Sequence, residues 1–109
     1  MIEAVVGSTS AERVLLFITA RGEGYATEIA QAFDTDLSPI QKQLARLERD
    51  GLLINRKVGR TRLYSFNPRY AFVDEVKSLL EKALALCPEP LQEALLLNRR
   101  RPRKQGKPL

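Results

Sequence analysis

At 109 residues, with 44% hydrophobic and 28% charged side chains, the chain has material for one domain with one core of three or four helices. No run approaches the ~18 uncharged apolar residues of a membrane-spanning helix, and no signal peptide is evident, so a cytoplasmic protein with no membrane partner is expected. Cys87 stands alone and there is no histidine, which excludes an internal disulfide and argues against a zinc or iron site. Cys87 reads as a small buried hydrophobe, and neither a metal nor a cofactor is expected.

The net charge of +5 becomes informative once it is located. Residues 98–109 carry six basic side chains and no acid, so the body of the chain holds twelve basic against thirteen acidic, a net of −1. Within that body residues 38–69 hold eight basic and two acidic side chains, net +6, whereas residues 1–37 sum to −4 and residues 70–97 to −3. A polyanionic partner explains such segregation better than a general need for solubility.

Taken in order, Met1 to Gly7 is short and apolar and fits either an edge strand or a helical extension against a partner subunit. Thr9 to Arg21 reads as a helix opened by a Thr9–Glu12 capping box. Ala11, Val14, Leu15 and Ile18 form its stripe, and Leu16 and Phe17 widen it until the helix must be buried on more than one side. Gly22 to Gly24 breaks it. Tyr25 to Phe33 reads as a short second helix packed through Ile29, Ala30 and Phe33, with Glu28 favoured by the dipole in its first turn.

Asp34 to Asp36 then turns into a third helix. Here Ser38 is expected as N-cap, Pro39 as the first helical residue and Gln41 as the partner completing a capping box, with Gly51 ending the helix in a left-handed conformation. Ile40, Leu44 and Leu47 share its apolar face, and Ser38, Gln41, Lys42, Ala45, Arg46 and Arg49 the opposite one. Leu52 to Phe66 reads as a hairpin turning through Val58, Gly59 and Arg60, with Leu63 and Ser65 alternating against Tyr64 and Phe66. A helix–turn–helix followed by a cationic hairpin outlines a winged helix–turn–helix, in which the helix enters the major groove and the hairpin lies along the backbone.

Asn67 and Pro68 end the hairpin, and Tyr70 to Cys87 is the longest helical segment. Phe72, Val76, Leu79, Ala83 and Leu86 recur at spacings of four and three, which suits the seam of a homodimer; packing on the chain's own core is the competing reading. Pro88 and Pro90 stop that helix, and Leu91 to Leu97 allows two further turns. After Asn98 the basic tail has no apolar anchor except Leu109 and is expected to be disordered when unbound. The organisation is therefore a mainly α chain with a small β-hairpin wing: residues 1–67 the winged helix–turn–helix, residues 68–97 the C-terminal helices for dimerisation, and residues 98–109 the basic tail.

Residues 8–70 resemble the winged helix–turn–helix of the ArsR-like transcriptional regulators. The runs Gly22 to Ala30, Gln43 to Leu53, Gly59 to Tyr64 and Asn67 to Tyr70 look like a prokaryotic subgroup found alone, or fused to or beside small nucleotidyltransferase domains. The Cys and His ligands of metal-sensing relatives are absent, as is the Gly-Ser and paired-carboxylate signature of a nucleotidyltransferase, so no enzymatic activity and no catalytic residue is carried over.

On the DNA reading, Gln41, Lys42 and Arg46 are placed to read base edges, since Gln pairs with adenine and a cation with guanine. Ser38, Arg49, Arg56, Lys57, Arg60 and Arg62 are expected on the DNA backbone, the wing residues against phosphate or in the minor groove. Tyr25 is either a further backbone contact or a core aromatic. The function expected is a sequence-specific, homodimeric double-stranded-DNA-binding regulator. The alternative is a protein-interaction module, such as the winged-helix partner of a nucleotidyltransferase, with no operator of its own.

Overall fold

In the computed structural model, which describes residues 1–97, six helices surround a three-stranded antiparallel sheet. The helices are α1 (Glu3–Val6), α2 (Thr9–Arg21), α3 (Ala26–Ala32), α4 (Leu37–Arg49), α5 (Val73–Ala85) and α6 (Glu89–Leu97); the strands are β1 (Gly24–Tyr25), β2 (Leu53–Val58) and β3 (Thr61–Phe66). The tail expected over residues 98–109 lies outside the described residues. No described helix is long and apolar enough to cross a membrane.

The core is built around α2. Ala11 and the unbroken run Val14 to Ile18 are buried, and because successive helical residues are turned by about 100°, five in a row close the circumference. α1, α3, α4, α5 and α6 all pack on this helix. Its cap differs from the expected one: Ser8 is the N-cap and accepts from the Ala11 N–H at 3.0 Å, while Glu12 turns to the backbone N–H of Ile2 and holds α1. Residues 1–7 thus resolve to a short helix whose Ile2 and Val6 pack on the core.

The start of α4 also departs from the capping box read at Ser38 and Gln41. Asp36 is the N-cap, without a side-chain cap bond, and Ser38 lies at the second helical position, where its hydroxyl no longer reaches forward to an orphan N–H. Half-buried Leu37 packs on the core and draws the backbone into the helix two residues early. Pro39 remains harmless, because the first four N–H groups have no helical acceptor.

The turn before it closes on Asp34, whose φ of 51° is the left-handed value usually left to glycine. The bonds Asp34 N–H to Gln31 O (3.2 Å) and Thr35 N–H to Ala30 O (3.0 Å) complete a Schellman motif. Gly51, at φ 94°, ends α4 with the same motif.

β2 and β3 pair in the register Leu53 with Phe66 through Val58 with Thr61, leaving Gly59 and Arg60 as a two-residue loop. Gly59 has φ 63° and Arg60 a negative φ, the sign pattern of a type II′ turn. Asn67 fastens the hairpin base to the end of α4, its amide donating to Gly51 O at 2.9 Å.

A third strand, not anticipated, is β1, pairing Gly24 with Tyr64 and Tyr25 with Leu63 to give the order β1-β3-β2. Its glycine is required by space: a Cβ at Gly24 would lie 2.7 Å from the Phe17 ring.

Gly24→Ala must push aside the ring of Phe17, which is fully buried. It is expected to lower unfolding free energy by about 2 kcal/mol, read from the urea midpoint; a midpoint within error of the parent would show that the ring yields freely.

Candidate nucleic-acid interface

The apolar face of α4 fixes what its other face offers. Ile40, Leu44 and Leu47 are buried toward α2, so Ser38, Gln41, Lys42, Ala45 and Arg49 are left exposed. Lys42 has no hydrogen bond or ion pair among the described residues; Arg49 meets only its neighbour Asp50, at 3.4 Å, with both side chains mostly in solvent.

Arg46, expected to read base edges, is half-buried and engaged within the chain. Its Nε donates to Gln43 Oε1 at 2.9 Å, and its Nη2 donates to Val6 O at 3.1 Å, closing the C-terminus of α1 onto α4. It lies on the flank of the exposed face, where the nearest acceptor is another part of the same chain.

The wing divides its cations between two faces. Residues paired across an antiparallel ladder share a face, so Asn55, Lys57, Arg62 and Tyr64 project together, and Arg56 projects opposite, beside Leu63. The first face is turned toward α4: the Asn55 amide donates to Glu48 Oε2, and Arg62 Nη1 donates to Asn55 Oδ1 at 3.0 Å. Arg56 instead meets Glu23 at 3.5 Å, an exposed contact of little energetic weight. Lys57 and Arg60 are exposed with no partner among the described residues, Arg60 at the loop. The cations of α4 and the wing are therefore gathered in part: Lys42, Arg49, Lys57, Arg60 and Arg62 remain exposed, Arg46 is taken into the fold, and Arg56 lies on the far face.

Between α3, α4 and β3 runs an open groove of about 350 Å³ lined by Tyr25, Thr27, Gln41, Arg60, Arg62 and Tyr64. Tyr25 is half-buried in β1: it starts α3 with its N–H on Glu28 Oε1 at 3.3 Å, and it lines the groove. Burial, and secondarily the nearby Glu48 carboxylate, hold the Tyr64 hydroxyl above its usual range, with Arg62 opposing. Tyr64 is thus a neutral hydroxyl at physiological pH. Glu48, Asn55, Thr27 and Tyr64 were not singled out by sequence. The parity shared by Asn55 and Lys57 was available as a signal for one of them; the approach of Glu48 to β2 was not.

Of the five side chains read as a helix seam, Ala83 is buried in its own core and Val76 and Leu79 are half-buried, because α5 lies along α2. Phe72, edge-on to Tyr70 at 5.9 Å, and Leu86 are left 62% and 65% exposed. Cys87 is buried, and burial raises its thiol pKa, as befits packing material.

No family model matches the chain, and no curated protein does. Among solved structures it is similar to reduced HlyU from Vibrio cholerae N16961, at 26% identity and a TM-score of 0.55, with 78% of this chain and 88% of that chain covered. HlyU is a winged-helix regulator, and the fold built above is the winged-helix regulator fold.

Two outcomes are expected. Arg46→Ala, by releasing α1, should lower unfolding free energy by about 1 kcal/mol in thermal melts, and unchanged melting would mean the Val6 contact contributes nothing. A tyrosine whose folded pKa is raised stabilises the fold below about pH 10, and that contribution is lost as pH rises through the folded value. Tyr64→Phe should accordingly flatten the alkaline limb of the stability profile, and a limb of unchanged steepness would remove Tyr64 as its source.

Proposed function

We propose that the protein is an ArsR-like transcriptional regulator of the cytoplasm that binds specific double-stranded DNA as a homodimer. The observation that carries this reading is the company of exposed cations on α4 and the wing, around a groove lined by hydroxyl, amide and guanidinium groups. The two acids of residues 38–69 are both engaged, Glu48 with Asn55 and Asp50 with Arg49, so the surface keeps a strong positive excess. Gln41 and Lys42 would read base edges from the exposed face of α4. Ser38, Arg49, Lys57, Arg60 and Arg62 would hold the phosphates on either side, with Arg56 at the wing's outer face. The similarity to a winged-helix regulator favours the same class of function.

The homodimer would bury Phe72 and Leu86, supported by the half-buried Val76 and Leu79, and would set two α4 helices for half-sites ~34 Å apart. A different protein could cover the same side chains, which is the interaction-module alternative. The chain alone would then remain monomeric.

Fluorescence anisotropy with duplex DNA from the region upstream of the protein's own gene tests binding. Lys42→Ala and Arg60→Ala should each weaken affinity several-fold and each reduce the salt slope by about 1. Affinity unchanged in both variants would end the DNA reading. In sedimentation, Leu86→Glu should convert a dimer into a folded monomer, since the side chain removed supports no core of its own; a mass unaffected by the change would reject the seam.

A further inference from the structure

We propose that Glu48 and Asn55 are positioning residues, which use Arg62 to set the angle between α4 and the wing so that both meet one duplex at once. The inference rests on the DNA-binding reading above. Three side chains from three elements form the link: the Glu48 carboxylate on α4 accepts from the Asn55 amide on β2, and the Asn55 carbonyl accepts from Arg62 on β3, at 3.0 Å. An amide between a carboxylate and a guanidinium is used at both ends. Flipping it would set oxygen against carboxylate and N–H against cation, so its orientation is held.

The link sits where the wing needs one. The base of the hairpin is secured by the Gly51 turn and by Asn67. β1 pairs with Leu63 and Tyr64, so from Lys57 through Arg62 the wing is a two-stranded ribbon, and the link ties the first rung of that ribbon, at Arg62, back to α4 through Asn55. Such a ribbon is marginal by itself and free to twist. Among the described residues, the hydrogen bond that joins a side chain of α4 to a side chain of the wing is that of Asn55 to Glu48.

A second consideration points the same way. Glu48 places a negative charge in a surface otherwise arranged for phosphate, a simple cost to affinity if the residue does nothing else. Paired through Asn55, it directs Arg62 while consuming one of the five guanidinium N–H donors and leaving the others for phosphate.

Anisotropy titrations at two salt concentrations test the link, with wild type, Glu48→Ala, Asn55→Asp, the double variant Glu48→Gln/Asn55→Asp, and Arg60→Ala as a control for the DNA reading. Glu48→Ala removes an acid from the cationic face, yet is expected to weaken binding about fivefold with an unchanged salt slope. Asn55→Asp should weaken it at least as much. The double variant carries the wild-type net charge and can rebuild the link with its polarity exchanged. The amide introduced on α4 would donate to the carboxylate introduced on β2, and that carboxylate still accepts from Arg62. It should return to within about twofold of wild type. In the absence of DNA, Glu48→Ala should shift the Asn55 side-chain amide resonances in NMR while the far-ultraviolet circular dichroism stays that of a folded chain.

Tighter binding by Glu48→Ala, or a double variant as weak as Asn55→Asp, would overturn the proposal. So would Asn55 amide resonances indifferent to Glu48→Ala. If Arg60→Ala weakens binding and Glu48→Ala does not, the link alone fails. If wild type binds no duplex, the DNA reading fails and the proposal with it, whatever the NMR shows.

Discussion

Five consecutive side chains, Val14 to Ile18, leave water together, and every surface that matters is placed by that burial. Each such residue contributes on the order of 1.5–3 kcal/mol on transfer from water, so α2 cannot turn any side outward. The α4 helix must then present Ile40, Leu44 and Leu47 to it, and Lys42 and Arg49 are carried to the opposite side by helical geometry alone. The wing inherits its place from the same contact, because the Gly51 turn and Asn67 fasten it to the end of α4. An electropositive surface is thus oriented by an apolar one.

Charge follows a second division. Three described cations outside the α4–wing unit are engaged by aromatic rings or helix ends. Arg13 lies over the Phe33 ring at 5.7 Å. Arg21 stacks over Phe17 at 4.4 Å, bonds the carbonyls of Ala94 and Leu95 at the end of α6, and sits 3.7 Å from Glu28. Lys77 lies over Phe66 at 5.8 Å. These side chains use their charge to satisfy helix ends and aromatic faces. Among the described residues, the cations left over are those of α4 and the ribbon, together with Arg69 and Lys82 nearer α5. Arg46 is the exception inside the unit: it belongs by sequence to the exposed cluster and by contact to the fold.

The same α2 packing accounts for the outer face of α5. Leu80 and Ala83 satisfy the core, which leaves Phe72 and Leu86 at opposite ends of the helix, mostly uncovered by the described residues. Of the five residues of the proposed seam, two are exposed and two half-buried.

Much of this was legible in local pattern. The span of α2, the left-handed end of α4 at Gly51, the glycine of the wing loop and the concentration of cations in residues 38–69 all follow from side-chain periodicity, capping preference and charge count, quantities that neighbouring residues determine among themselves. What tertiary structure decided are the choices between near-equal local options. Ser8 caps α2 where Thr9 was equally eligible, and Leu37 starts α4 where Ser38 was, because an apolar neighbour found a place in the core. A two-residue strand at Gly24 and Tyr25 is too short to show any period and exists only because β3 offers an edge. Arg46 reaches Val6, forty residues away, and Glu48 reaches Asn55 across the turn. A single charged side chain carries no mark of which partner will come within hydrogen-bond distance, since that is settled by how whole elements pack.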